Sequence, residues 1–391
     1  MGSLLLVVIF LVFVSLGLPD SLLGSGWPTM QAEFNVPSSF AGYVSMTISF
    51  MTIISALLSP FFMKKFHTKW IVIVSILLTV IGLLGFSFCE EYWMLFIFAI
   101  PYGLGAGAID SSINNYVANN YSGSIMSFLH CFYGIGAVIS PNIMSLALKN
   151  ARWNEGYSWT SFIQMGILAV VIFTLPLWKK VKSKENDIID KPQESEGIRK
   201  SIIRPGVIST LIAFFAYCSA EATCFLWTSS YFAGTVAGLS SDVIASFGSL
   251  IFGGLMVGRL ISGFITNKFG DKNMIRIGCA VELIGIILIF LSSYNYILAI
   301  VGFIIVGMGM GPIYPSIMHM APYKFGEKYS ASIISLQMAF AYVGSTFMPS
   351  LFGILQENLG IWIMPIYLVC FLIINISLIE LSNFLARRKS N

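Results

Sequence analysis

The chain has 391 residues, of which 57% are hydrophobic and only 10% are charged, and its formal net charge is +4. Soluble globular domains carry about 25% charged residues, so this composition excludes that class. A membrane helix needs about 20 mostly apolar residues, and the long apolar runs lack the alternating pattern of a membrane β-barrel. The sequence therefore predicts an all-α membrane protein with twelve transmembrane helices.

The predicted spans follow one another with short loops between most of them. The first begins close to the N-terminus, and we interpret it as a span because it lacks the basic leading region of a cleaved signal peptide. In chain order, the spans are predicted at 3–33, 38–62, 69–88, 93–119, 122–148, 157–178, 203–232, 240–266, 273–293, 295–320, 328–355 and 359–385.

Lysine and arginine residues cluster in the loops that follow the even-numbered spans. Because cytoplasmic loops are enriched in these residues, we expect both termini in the cytoplasm. The longest basic stretch is polar throughout, and we interpret it as a flexible cytoplasmic linker at 179–202. It separates a predicted N-terminal six-helix bundle, 1–178, from a predicted C-terminal six-helix bundle, 203–391. The net positive charge comes from these loops and does not indicate a nucleic-acid partner.

The two predicted bundles resemble each other in sequence. The segment GLGAGAIDSSIN (103–114) aligns with GMGMGPIYPSIM (307–318), and SPFFMKKFHTK (59–69) aligns with SGFITNKFGDK (262–272). A six-helix unit that occurs twice in the same orientation is typical of transporters that expose one site alternately to each side of the membrane. The repeat therefore predicts a secondary transporter.

The segment GRLISGFITNKFGDK (258–272) resembles the cytoplasmic motif of the major facilitator superfamily, with Asn267 where an aspartate is usual. Two further segments, LPDSLLGSGWPTMQAEF (18–34) and GLGAGAIDSSINN (103–115), are similar to the fucose–proton symporter branch of that family. The resemblance implies that an acid in the first span and another in the fourth serve sugar recognition and proton coupling. Asp20 and Asp110 occupy those positions, and Asn114 follows Asp110 by four residues, as in that branch.

Four acidic residues fall inside predicted spans: Asp20, Asp110, Glu221 and Glu282. The basic residue Arg259 also lies within a span, but in the second half of the chain, so the sequence gives Asp20 and Asp110 no cationic partner in their own half. Ionised carboxylates are costly in hydrocarbon and must be neutral, reach water or bind a cation. We therefore predict Asp110 and Asp20 as the proton-coupling residues. The alternative is a permanently protonated aspartate that hydrogen-bonds a neighbouring helix.

A sugar site needs polar groups that match hydroxyls, together with aromatic faces. Alternative interpretations are a packed histidine for His130, an interfacial aromatic for Trp27 and a helix brace for Glu221. The predicted substrate contacts are Asn114, His130, Asn115, Gln164, Gln337, Trp27, Tyr133 and Glu221.

These observations predict proton-coupled symport of a sugar or a similar neutral polyol by alternating access. A proton-driven drug antiporter of the same superfamily is the main alternative, and sodium could replace the proton because a carboxylate binds either ion. A transport-inactive sensor with the same fold also remains open. An intramembrane aspartyl protease is disfavoured, because the Gly-x-Gly-Asp context is absent around Asp110.

The remaining expectations concern partners and location. The six cysteines show neither CxxC nor Cys/His spacing, so the sequence predicts no disulfide framework and no metal site. We expect no enzymatic activity and no cofactor. The expected setting is a monomer that spans the lipid bilayer of the plasma membrane several times.

Overall fold

The computed structural model describes residues 2–120, 123–150, 152–178 and 198–387, and these residues are almost entirely helical. Two short 3₁₀ turns, Leu291–Ser293 and Ile361–Ile363, join longer helices. The α-helices are Gly2–Asp20 (α1), Leu22–Phe34 (α2), Phe40–Lys65 (α3), Thr68–Ser87 (α4), Met94–Asn120 (α5), Gly123–Leu148 (α6), Trp153–Phe173 (α7), Leu175–Trp178 (α8), Ile198–Ile202 (α9), Val207–Thr235 (α10), Ser241–Phe247 (α11), Ser249–Phe269 (α12), Asp271–Phe290 (α13), Tyr296–Met310 (α14), Ile313–Phe325 (α15), Glu327–Leu359 (α16) and Met364–Arg387 (α17).

Within the described residues, twelve helical segments are long and apolar enough to cross a membrane, as the sequence predicts. They are Leu4–Phe34, Phe40–Ser59, Thr68–Ser87, Met94–Asn114, Phe128–Leu148, Trp153–Phe173, Val207–Thr235, Ser241–Phe269, Asp271–Ser293, Tyr296–Phe325, Ser332–Leu359 and Ile361–Ala386.

The described chain forms two compact units. Unit 1 is drawn from Met1–Asp187 together with Leu226–Ser249, and unit 2 from Ile188–Phe225 together with Leu250–Asn391. The predicted linker, 179–202, lies outside the described residues except for α9. The predicted bundle boundaries and the cytoplasmic position of the termini stay predictions.

Glycines bring the helices of unit 1 into close contact. A Cβ atom on Gly103 would lie 2.3 Å from the carbonyl oxygen of Ile48, and one on Gly107 would lie 2.2 Å from that of Thr52. Such contacts leave no room for a side chain, so α5 packs directly against the backbone of α3. The glycines that precede Asp110 therefore serve helix packing.

The first span is discontinuous. α1 ends at Asp20, Ser21 adopts a turn, and α2 starts at Leu22. Pro19 lies in the last turn of α1 and has no N–H group to bond the carbonyl four residues earlier. The break therefore places Asp20 at the end of one half-helix, an arrangement that transporters use at binding sites.

Candidate functional site

Asp20 forms a direct contact with α6. The Tyr133 hydroxyl donates a hydrogen bond of 2.6 Å to Oδ2 of Asp20. The Asp20 side chain is exposed although it lies well inside its span. Its other carboxylate oxygen, Oδ1, accepts no hydrogen bond from any residue in the described part of the chain. Asp20 is thus held on one side and open on the other.

Asp110 is half-buried on α5. Its Oδ1 atom accepts a 2.8 Å hydrogen bond from Nδ2 of Asn114, one turn further along the same helix. The Oδ1 atom of Asn114 is buried and has no hydrogen-bond donor. Asp110 and Asn114 therefore present oxygen acceptors that the described protein leaves without donors.

The two carboxylates belong to one electrostatic site. Asp110 lies close enough to Asp20 for their charges to interact. Among the described residues, no lysine or arginine forms an ion pair with either of them. Two interacting acids without a basic partner favour a proton or another cation between them.

His130 and Tyr133 lie one turn apart on α6 and are both half-buried. The ring of His130 meets the ring of Phe13 edge-on, with 5.7 Å between centroids. The structure thus places these two predicted substrate contacts on α6, the helix that hydrogen-bonds to Asp20 through Tyr133.

Gln164 is fully buried, and both polar atoms of its side-chain amide form hydrogen bonds within the protein. Its Nε2 atom donates to the carbonyl oxygen of Ser15, and its Oε1 atom accepts from the Ser15 hydroxyl. The Ser15 carbonyl is the group that Pro19, four residues later, leaves without a backbone donor. Gln164 therefore stabilises the break in the first span, a role that its position in the sequence does not indicate.

No observed contact within the described part of the chain links Trp27 or Asn115 to the Asp20–Asp110 site. The Trp27 side chain is fully buried, and its Nε1 atom donates a 2.9 Å hydrogen bond to the carbonyl oxygen of Ser38. Asn115 lies on α5, but its side chain is outside the described part of the structure. Neither residue is brought to the two aspartates by an observed contact.

The remaining predicted contacts, Glu221 and Gln337, lie in unit 2. Glu221 forms an ion pair with Arg259, with 3.3 Å between Oε1 and Nη2, and accepts a 2.7 Å hydrogen bond from the Tyr217 hydroxyl. Arg259 lies 38 positions beyond Glu221, so no local sequence pattern predicts that the two residues pair. The sequence does show that both are charged residues inside predicted spans of the second half, which is the feature that could have suggested the ion pair. The pairing is consistent with the helix-brace interpretation.

Gln337 is fully buried on α16, and neither its Oε1 nor its Nε2 atom has a hydrogen-bond partner. Buried amides are nearly always bonded, and each unpaired group costs about 1–3 kcal/mol. Gln337 is therefore a polar side chain that a ligand or a second conformation would satisfy.

Comparison with known proteins gives concordant results. The family model described as Major Facilitator Superfamily matches residues 9–349. The chain is 22% identical to "Bypass of stop codon protein 6" of Saccharomyces cerevisiae, over 97% of this chain and 82% of that protein. It is 21% identical to the glucose/mannose transporter GlcP of Bacillus subtilis, over 87% of this chain and 85% of that protein. A bacillibactin exporter of the same bacterium is 24% identical over 31% of each chain.

Solved structures show the same fold. A D-xylose–proton symporter superposes with a TM-score of 0.71 at 15% identity, covering 95% of this chain and 96% of that one. The peptide transporter POT superposes with a TM-score of 0.75 at 15% identity, covering 98% and 95%. The family match over most of the chain, together with the twelve helices able to span a membrane, shows the family to which the protein belongs. The chain belongs to the Major Facilitator Superfamily and is a multi-pass integral membrane transporter rather than an enzyme.

Proposed function

We propose that this transporter carries a sugar or a similar neutral polyol together with a proton, using the Asp20–Asp110 site of unit 1. The observation that carries the proposal is the interacting pair of carboxylates without a basic partner. The names of two similar proteins, a glucose/mannose transporter and a D-xylose–proton symporter, agree with it.

The hydrogen-bonding chemistry supports this choice of ligand. Asp20 Oδ1, Asp110 Oδ2 and Asn114 Oδ1 are oxygen atoms without a donor from the described residues. A site rich in acceptors is complementary to a ligand rich in O–H donors, which describes a sugar, and to a proton. His130 and Tyr133 would add a ring face and a hydroxyl on the adjacent helix.

The proposed cycle uses the cost of an unpaired charge in the membrane. When the site opens to the side of higher proton concentration, Asp110 takes up a proton, and the neutral form can be enclosed with the substrate at lower cost. When the site opens to the other side, the proton and the substrate leave together. In this cycle Asp110 couples the two fluxes, and Asp20 binds substrate or a second proton.

Purified protein in liposomes tests the proposal. We expect a pH gradient, acidic outside, to drive accumulation of at least one hexose or pentose, with internal acidification that a trapped pH dye records. A sodium gradient at equal pH on both sides should not drive this accumulation. Sodium-driven uptake without acidification would overturn the proton assignment, and no stimulation by any sugar or polyol would overturn the substrate class.

A second candidate is the proton-driven export of a larger or more apolar molecule. The matched third of a bacillibactin exporter is the observation that favours it. Binding of lipophilic cations, and the absence of sugar binding, would select this function. The proposed setting for either function is a monomer in the plasma membrane.

A further inference from the structure

Unit 2 contains a second buried charged cluster, which the Asp20–Asp110 proposal does not use. It lies where the tenth span breaks between α14 and α15, at Gly311 and Pro312. A Cβ atom on Gly309 would lie 2.3 Å from the backbone nitrogen of Glu282, and one on Gly311 would lie 2.6 Å from that of Arg259. The glycines therefore let α12 and α13 pack directly against this break.

Glu221 is only half satisfied in this cluster. Its Oε1 atom accepts from both Tyr217, at 2.7 Å, and Arg259, at 3.3 Å. The same Tyr217 hydroxyl lies 3.1 Å from the carbonyl oxygen of Met310, so its single proton can serve either acceptor. The Oε2 atom of Glu221 accepts no hydrogen bond from the described residues.

Glu282 is the residue of this cluster whose burial no observed contact explains. Its exposed fraction is 3%, and among the described residues none donates a hydrogen bond to its carboxylate. It lies close enough to Glu221 for the two charges to interact. A carboxylate that is buried, unbonded and near a second carboxylate is costly when ionised and favours binding of a proton or another cation.

Among the described residues, Arg259 is the basic residue that an ion pair places in this cluster. On α14, Tyr296 is the one titratable side chain, and it lies at the far end. His319 on α15 pairs with Asp271, and Glu380 on α17 pairs with Arg276, both at the ends of the spans. The other titratable groups of the elements packed around Glu282 are Lys272 and Cys279 on its own helix, Tyr217, Cys218, Cys224 and Tyr231 on α10, Lys268 on α12, Tyr314, Tyr323 and Lys324 on α15, and Tyr367, Cys370 and Arg387 on α17.

We propose that Glu221 and Glu282 form a second cation site, in unit 2, that holds one proton or one sodium ion. When both are ionised, Glu221 and Glu282 carry two negative charges, and the Arg259 guanidinium that pairs with Glu221 carries one positive charge, so these three residues together have one negative charge in excess. One monovalent cation restores neutrality and occupies the oxygens that the protein leaves unbonded. The site requires neither substrate nor the Asp20–Asp110 pair, so it stands or falls separately from the proposed transport function.

Infrared difference spectroscopy on the full chain in lipid nanodiscs tests the proton form. Spectra at acidic and neutral pH should differ by a protonated carboxyl band. We expect Glu282→Gln and Glu221→Gln each to remove the same component of that band, because one proton is shared, while Glu282→Asp keeps a component at a shifted frequency. Asp110→Asn should remove a different component. The matched control, Glu357→Gln, changes an exposed residue and should leave the component unchanged.

A parallel titration with sodium chloride against choline chloride tests the sodium form. If sodium occupies the site, it should raise the melting temperature of the wild type and of Glu357→Gln, and the rise should be lost in Glu282→Gln. Should the glutamine variants fail to fold, Glu282→Asp decides the matter by a shifted band or a changed sodium midpoint. A carboxyl band and a sodium response identical in the wild type and all Glu221 and Glu282 variants would overturn the proposal.

Discussion

Tyr133 on α6 and Asp20 at the end of α1 are joined by a 2.6 Å hydrogen bond, although 113 positions separate them in the chain. The bond ties a predicted aromatic contact to a predicted ion-coupling acid within unit 1. It also gives the Asp20 carboxylate a donor that can be exchanged for a substrate hydroxyl.

Removal of this donor should affect transport more than folding. Hydrogen bonds to charged groups contribute about 1.5–3 kcal/mol, so we expect Tyr133→Phe to change the apparent affinity for substrate or proton by about 10-fold or more. Uptake measured over a range of substrate concentrations and pH values checks this. Tyr296→Phe removes an exposed hydroxyl that has no observed partner and should behave as the wild type. Equal kinetics for the two variants would contradict the role of the bond.

Gln164 should stabilise the fold because it supplies the hydrogen bond to the Ser15 carbonyl that Pro19 cannot donate. Gln164→Leu leaves the Ser15 carbonyl without its donor, at a cost of about 1–3 kcal/mol, so we expect a lower melting temperature in detergent. Pro19→Ala restores a backbone N–H that can bond the same carbonyl. In the Pro19→Ala background, Gln164→Leu should therefore cost less.

The double-mutant comparison separates this structural role from substrate binding. If the cost of Gln164→Leu is the same in both backgrounds and substrate no longer stabilises the Gln164→Leu protein, then Gln164 is a substrate contact and the bracing role is wrong. Substrate should still raise the melting temperature of Gln164→Leu if the bracing role is right.

Gly17 should tolerate no side chain, because α1 and α6 touch there. A Cβ atom would lie 2.1 Å from the carbonyl oxygen of Tyr133, so Gly17→Ala must push the helices apart and strain the Asp20–Tyr133 bond. We expect a lower melting temperature and reduced uptake. Gly166→Ala, on α7, meets no atom within 4 Å and should be neutral or stabilising by up to about 1 kcal/mol. Similar losses for both alanine variants would contradict the packing explanation.

Cys89 should be chemically inert. Its side chain is 1% exposed, and burial raises the pKa of this thiol to about 12. A raised pKa keeps the thiol protonated, so roughly one molecule in ten thousand is thiolate at pH 8. In a variant that keeps Cys89 as its single cysteine, maleimide should label the folded protein far more slowly than the protein unfolded in denaturant. Equal labelling rates for the folded and unfolded protein would show that the Cys89 region opens.

Much of the fold could be predicted because membrane helices are encoded by length and apolarity. The predicted second span, 38–62, corresponds to Phe40–Ser59, and the predicted eleventh, 328–355, corresponds to Ser332–Leu359. Because most loops are short and polar, the ends of the predicted spans could differ from the observed ones by only a few residues. Positions of the spans, their number and the family all followed from the sequence.

The breaks and the partners could not be predicted in the same way. Proline at position 19 was visible in the sequence, but the residue that satisfies the freed Ser15 carbonyl lies 149 positions away from it. The Glu221–Arg259 ion pair likewise depends on how two helices face each other. Hydropathy gives the depth of a residue in the membrane but not the direction of its side chain, so the candidate residues were found and their pairing was not.

The central claim is that the carboxylates of unit 1 exchange a proton while substrate crosses, and Asp110→Asn tests it most directly. Reconstituted protein is assayed twice, for accumulation driven by a pH gradient and for counterflow of substrate without a gradient. We expect the variant to lose accumulation and keep counterflow, because an amide can bind substrate but cannot exchange a proton. Accumulation equal to that of the wild type, with the same acidification, would contradict it.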